Sequence, residues 1–198
     1  MTRCNHKHIQ TLEKNALIVD IGGGTGLFYK LWPSSSRYIC IDNDDVKLKG
    51  FLNKHSDGKV LWADATQLPI KSISVDVVLC TSMSHHVPLD MLDALVRESA
   101  RVLKPAGKFI FLDAVLIQER WLNRLLWKFD RGMYPHTEQE ISSVFQKHCC
   151  VIHQECFNIY YDYVLIVAEK RSRINDFGLA ASSRRFPLEN KRKSVRTK

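Results

Sequence analysis

Ten residues constrain this chain more than any others: Leu17-Ile18-Val19-Asp20-Ile21-Gly22-Gly23-Gly24-Thr25-Gly26. Leu17 to Val19 is continuously apolar rather than alternating, which predicts a strand buried on both faces. An acid follows, and then glycine at every second position from Gly22 to Gly26. Glycine has no Cβ, so such a turn can take positive φ and let a small ligand approach the backbone. A helix over about Thr25 to Leu31 is expected next, with its first free N–H groups aimed at the same point. A dinucleotide-binding loop needs G-x-G-x-x-G, and Leu27 stands where its third glycine belongs. The spacing therefore argues against a nicotinamide-dinucleotide module.

Downstream, the pattern repeats strand, acid, helix. Arg37 to Ile41 reads as a second strand ending in Asp42, 22 residues after Asp20. A carboxylate at the tip of the neighbouring parallel strand can accept both hydroxyl hydrogens of a ribose. Its other role would be to cap the helix that begins near Asp44 and continues from Val46 to Asn53, but Asp44 or Asp45 can cap that helix equally well, and the glycine turn upstream favours the ribose role. Lys59 to Trp62 is a third strand, followed by Asp64-Ala65, and Ile73 to Cys80 is a fourth. Thr81-Ser82-Met83-Ser84-His85-His86-Val87 then leaves the sheet beside strand 1, where open parallel sheets bind ligands. His85 and His86 are the candidates for acid–base chemistry, since imidazole titrates near neutrality; one of them can instead pack or cap the next helix. That helix, Leu89 to Leu103, carries apolar residues at helical spacing. Lys104 to Lys108 is a proline–glycine turn, and Phe109 to Leu112 a fifth strand.

Three phrases together are specific. Asp20 to Gly26 reads D-x-G-x-G-x-G, Asp64 to Pro69 reads D-A-x-x-L-P, and Arg101 to Gly107 reads R-V-L-K-P-A-G. They resemble the class I S-adenosylmethionine (SAM)-dependent methyltransferases, particularly the compact subgroup that includes ubiquinone and menaquinone biosynthesis enzymes. The resemblance covers about residues 15–115. It implies an α/β fold, a Rossmann-like seven-stranded mainly parallel sheet with helices on both faces and an antiparallel last strand. It implies SAM as cofactor and a small-molecule methyl acceptor; the alternatives are an RNA-directed methyltransferase using the basic tail and a SAM-binding partner protein without turnover. Asp20, Gly22, Gly24 and Gly26 would then position the methionine portion, with help from Thr81 and Ser82, while Asp42 takes the ribose and Asp64 with Ala65 reads the adenine. His85 or His86 would assist proton removal. Ala106 stands where the family phrase has its first glycine.

The remainder divides by composition. Residues 1–15 form a polar, His-rich leader, with a short helix over the cofactor expected at Ile9 to Asn15. Cys4, His6 and His8 match no structural zinc spacing, so no metal site is expected. Residues 16–170 are the cofactor-binding domain, with a substrate-side insertion at about 116–149. Trp121, Leu122, Leu125, Leu126 and Phe129 share one helical face, which packs in the core or lines a pocket for a hydrophobic acceptor. Arg131, Tyr134 and His136 sit on the break after it and are candidate substrate contacts, or a surface turn. Thr137 with Glu140 makes a capping box for a helix to about Lys147. Cys150 to Phe157 and Tyr160 to Glu169 read as two closing antiparallel strands.

Charge separates the end from the body. The chain carries +8, of which residues 171–198 hold +7 from nine basic residues and two acids. A near-neutral body disfavours a nucleic-acid groove within the fold and leaves nucleic-acid contact to this tail, which has no sustained periodicity and reads as disordered. No apolar run reaches the roughly 20 residues that span a bilayer. Six cysteines without C-x-x-C spacing, two of them inside buried strands, fit a reducing cytoplasmic setting.

Overall fold

The computed structural model describes residues 15–117, 134–159 and 161–171. A seven-stranded sheet has the order β3-β2-β1-β4-β5-β7-β6. β1 (Leu17–Ile21), β2 (Arg37–Asp42), β3 (Lys59–Trp62), β4 (Val75–Thr81) and β5 (Leu103–Val115) run parallel. β7 (Asp162–Lys170) inserts antiparallel between β5 and β6 (Cys149–Asn158). Strand order reverses beside β1, where β2 and β4 flank it, and the carboxyl ends of these strands open onto one edge of the sheet.

Both faces are covered, as the continuous apolar runs require. Helix α1 (Asp45–Lys54) puts Leu48 and Phe51 on one face, against Ile18, Tyr38, Cys40, Val77 and Leu79. Helices α2 (Leu89–Val102) and α3 (Glu138–His148) cover the other, where Leu92, Leu95, Val96, Ile141, Val144 and Phe145 meet Val19, Ile21, Val78, Phe109, Phe111 and Ile166. Cys40 and Cys80 are buried within strands, small hydrophobes as their neighbours suggested. The Thr137 capping box forms in full, with Glu140 reaching back to the Thr137 N–H at 2.8 Å. No described helix is long and apolar enough to cross a membrane.

The structure corrects three local expectations. No α-helix forms over Thr25 to Leu31; turns lead to a single 3-10 turn at Tyr29–Leu31. Gly26 is the reason: its φ is +79°, and a Cβ there would lie 2.5 Å from the Phe51 ring. The backbone then closes through i→i−3 bonds, Gly26 N to Gly23 O at 2.9 Å and Tyr29 N to Gly26 O at 3.2 Å. β4 begins at Val75 rather than Ile73, because Ile73 takes φ +58° in the turn before it. β5 starts at Leu103, and residues 104–107 loop out where pairing jumps from Leu103–Val75 to Lys108–Val77.

The recurrent phrases hold each other in place. Arg101 donates to the carbonyls of Leu68 and Ile70, each at 2.9 Å, and to Glu98, whose carboxylate also accepts the Leu68 N–H at 3.0 Å. The loop after Asp64 is thus pinned by the helix that carries Arg101. Lys104 grips Asp76 at the start of β4 at 2.8 Å.

The leader up to residue 14, with Cys4, His6 and His8, lies outside the described residues, as do the aromatic face at 121–129, Arg131, Tyr160 and residues 172–198.

Candidate functional site

A cavity of about 270 Å³ opens at the carboxyl ends of β1, β2 and β4 and the loop after β3. Gly22, Asp42, Asn43, Asp64, Ala65 and Thr66 form its polar side, and Met83, Val87, Met91 and Leu95 its apolar side; Ser82, His86 and Lys47 also line it. Gly22 has φ +68°, and a Cβ on it would stand 2.7 Å from Met83 Cγ, so only glycine lets β1 turn against the β4 exit.

Asp42 is the best-defined acid of the cavity. It is 6% exposed, and its carboxylate accepts the Gly24 N–H at 3.1 Å and the Asp44 N–H at 3.0 Å, one on each oxygen. The helix cap is made by Asp44, which accepts from Val46 N at 2.9 Å and Lys47 N at 3.2 Å. Asp42 is therefore released from capping and keeps acceptor sites toward the cavity. Asp64 accepts the backbone and hydroxyl hydrogens of Thr66 through Oδ1, at 2.7 and 2.8 Å, which fixes the loop and leaves Oδ2.

Asp20, Gly24 and Gly26 do not line the cavity; they build the loop beneath it. Asp20 is 1% exposed and accepts the Tyr38 hydroxyl, and its Oδ1 has no hydrogen-bond partner among the described residues. Burial pushes its carboxyl up to about 7, against the pull of the Tyr38 bond and with a further push from the Asp42 charge. Thr81 is half-buried at the end of β4 and off the cavity wall; its neighbour Ser82, with φ +51°, takes that place.

The two histidines separate in role. His86 is exposed and lines the cavity. His85 is buried, with Nδ1 2.6 Å from Asp113 Oδ1, and its ring packs against His86 at 4.2 Å between centroids. Asp113, at the end of β5, is fully buried and also accepts the N–H groups of Met83 (2.9 Å) and Ser84 (2.6 Å) and the Ser84 hydroxyl (2.7 Å). Burial opposes its charge, but the bonds from His85 and Ser84 outweigh burial and hold it below the usual carboxylate range. An ionised Asp113 accepts, so His85 Nδ1 carries its hydrogen. The sequence reading missed Asp113, although it closes an apolar run as Asp20 and Asp42 do.

Tyr134 and His136 fasten this loop from outside. The Tyr134 N–H donates to His85 O at 3.0 Å, His136 Nε2 bonds Val87 O at 2.9 Å, and the Leu116 N–H donates to His136 O at 2.9 Å. His136 is buried and neither residue lines the cavity. Among the described residues no cluster of three or more metal-ligating side chains occurs.

Residues 19–111 match the family described as a methyltransferase domain. A human thiol S-methyltransferase is 32% identical over 106 residues, half of this chain and 42% of that protein. A ubiquinone/menaquinone biosynthesis C-methyltransferase from Rubrivivax gelatinosus is 30% identical over 98 residues, 48% of this chain and 38% of that one. The chain thus spans about two fifths of the length of these curated relatives. Among solved structures, a SAM-dependent methyltransferase from Methanosarcina mazei superposes with a TM-score of 0.75 at 15% identity, covering 86% of this chain and 98% of that chain. Geranyl diphosphate C-methyltransferase from Streptomyces coelicolor does so at 0.68 and 13%, covering 84% and 78%. Over residues 19–111 the motif-bearing loops and these matches identify a methyltransferase domain, on a sheet of the kind seen in solved S-adenosylmethionine-dependent methyltransferases.

Proposed function

We propose that this protein transfers the methyl group of SAM to a small-molecule acceptor. The observation that carries the reading is the cavity that joins Gly22, Asp42 and the Asp64–Ala65 loop to His86. The cavity fits a nucleoside with an amino-acid arm. The free acceptor sites of Asp42 suit ribose hydroxyls, Asp64 Oδ2 suits an exocyclic amine, and Met91 and Leu95 offer an apolar wall to a flat base. The orphaned Asp20 Oδ1 and the loop glycines underlie the same spot. SAM supplies an electrophilic methyl carbon on a sulfonium.

The chain's own residues align the acceptor, exclude water and remove a proton. His86 is the group in reach of an acceptor's proton, and the Asp113–His85 pair holds it from behind. Tyr134, whose N–H is bonded to this loop, is a proposed acceptor contact, as is Arg131, three residues earlier in the sequence; His136 acts through Val87 as a positioning residue. The names of the relatives, a thiol S-methyltransferase, a ubiquinone/menaquinone biosynthesis C-methyltransferase and a geranyl diphosphate C-methyltransferase, set the panel to try. The basic residues 171–198 favour one second reading, an RNA-directed methyltransferase.

Calorimetric titration with SAM and S-adenosylhomocysteine tests the proposal, beside Asp42→Ala. Micromolar binding that weakens at least tenfold in the variant, a loss of about 1.4 kcal/mol, supports it. Mass spectrometry of the acceptor panel then identifies a methylated product. A folded wild-type protein that binds neither nucleoside sinks the reading.

A further inference from the structure

Four amides of the Gly-rich loop are already engaged, three of them by β2. Gly22 N and Gly23 N both donate to Ile41 O, at 2.8 and 3.2 Å, Gly24 N to Asp42 at 3.1 Å and Gly26 N to Gly23 O at 2.9 Å. The α-helix whose N-terminus would have turned free N–H groups to the cavity does not form. An anionic group bound over this loop finds the amides of Gly22, Gly23, Gly24 and Gly26 already engaged, and two acids, Asp42 and Asp64, line the same cavity. A carboxylate there needs a cation.

Among the described residues, Lys47 is the only lysine or arginine that lines the cavity. It sits in the first turn of α1, and its stem lies over the loop: a Cβ on Gly24 would be 3.8 Å from Lys47 Cδ. Its helix neighbours are engaged elsewhere, Lys49 with Asp45 at 2.8 Å and Lys54 with the Thr25 hydroxyl at 3.1 Å. Among the described residues no hydrogen bond or ion pair engages the Lys47 ammonium. Lys47 is exposed at the edge of the cavity, where an ammonium with no partner among the described residues attracts an anionic ligand group.

We propose that Lys47 supplies the counter-charge for the carboxylate of the ligand's amino-acid arm, so that this chain selects an amino-acid-bearing nucleoside through a side chain of α1 rather than through its glycine loop. The inference rests on the SAM reading and extends it to a residue of specificity.

Two commercial probes separate the arm from the nucleoside: S-adenosylhomocysteine, which carries the amino-acid arm, and 5′-methylthioadenosine, which lacks it. Both are titrated calorimetrically into the full chain, into Lys47→Met and into Lys47→Arg. Methionine keeps the stem and helix propensity and removes only the charge. Expected is a loss of about tenfold in S-adenosylhomocysteine affinity for Lys47→Met, equal to about 1.4 kcal/mol, with 5′-methylthioadenosine affinity within about twofold of wild type and Lys47→Arg retaining most of the affinity. The wild-type affinity for S-adenosylhomocysteine also falls more steeply with salt than that of Lys47→Met. An unchanged affinity in Lys47→Met, or an equal loss for both probes, overturns the assignment while the SAM reading stands. Absence of S-adenosylhomocysteine binding by the wild type overturns both.

Discussion

Ala106 shows how a single residue can depart from its local geometry. It occupies φ +60° in the loop between Leu103 and Lys108, a left-handed conformation that costs an alanine about 1–2 kcal/mol. Glycine removes that strain and returns about 0.4–1 kcal/mol through the greater freedom of its unfolded chain. Ala106→Gly is therefore expected to stabilise the fold by about 0.5–1 kcal/mol in urea denaturation, with an unchanged dependence on denaturant. Asp20 carries the larger effect and a definite sign. Its carboxyl moves from an ordinary 3.8 up to about 7 on folding, so the folded protein holds that proton more tightly than the unfolded chain. The stabilisation is complete below about pH 4 and is lost as pH rises through 7, a swing on the order of 4 kcal/mol at its ceiling. An asparagine in place of the acid would still accept the Tyr38 hydroxyl and would not titrate. Asp20→Asn should therefore match the wild type near pH 4 and exceed it in stability at pH 8, measured as the difference between the two unfolding free energies across pH. Parallel curves would show that the buried acid is not the titrating group.

Among the elements, the loop from Ser82 to Val87 matters most, because it is held from three sides and carries the cavity wall. Asp113 fastens it from β5, the Tyr134 N–H from the chain ahead of α3, and His136 through the Val87 carbonyl. The strands and α2 were legible because buried parallel strands need unbroken apolar runs and a covering helix needs a period of 3.6. The loop's anchoring was not, since it depends on which strands become neighbours. β5 lies beside β4, and only then does Asp113 meet Ser84 and His85, 29 and 28 residues earlier in the chain. The failed helix at Thr25 has the same origin: Gly26 is left-handed because Phe51, from α1, occupies the space of a side chain there. Asp113→Asn places an amide donor among groups that all donate, and a loss of about 3 kcal/mol is expected. Ser84→Ala removes one hydroxyl from the same hub and should cost about 1 kcal/mol. Hydrogen exchange should quicken at Met83 and Ser84 in Asp113→Asn more than in the core of β1. Equal losses from the two variants would mean that Asp113 is not the organising partner of the loop.

On the scale of the whole molecule, the cavity and the basic end of the chain are far apart in sequence. Every described cavity-lining residue falls between Ile21 and Leu95, at the carboxyl ends of the strands. The chain's last described contacts belong to the fold: Lys170 donates to the carbonyls of Arg101 and Leu103 at 3.2 Å, and Arg171 to Gln146 O at 2.7 Å. The boundary at 170 expected from composition thus cuts one residue short of a packing contact, because a charge count does not distinguish an arginine that caps α3 from those that follow it. Residues 172–198 hold eight of the nine basic residues counted from 171 onward. A chain ended after Arg171 is expected to unfold at the same denaturant concentration as the full chain and to bind S-adenosylhomocysteine with the same affinity, because all the described strands and cavity-lining residues lie before it. A short single-stranded RNA separates the two readings of the acceptor. If the tail delivers RNA, the full chain binds it with an affinity that falls steeply with salt, and the shortened chain loses both the affinity and the slope. If the acceptor is a small molecule, the shortened chain keeps its turnover on the acceptor identified from the panel, and weak RNA binding by the full chain is without consequence for that rate.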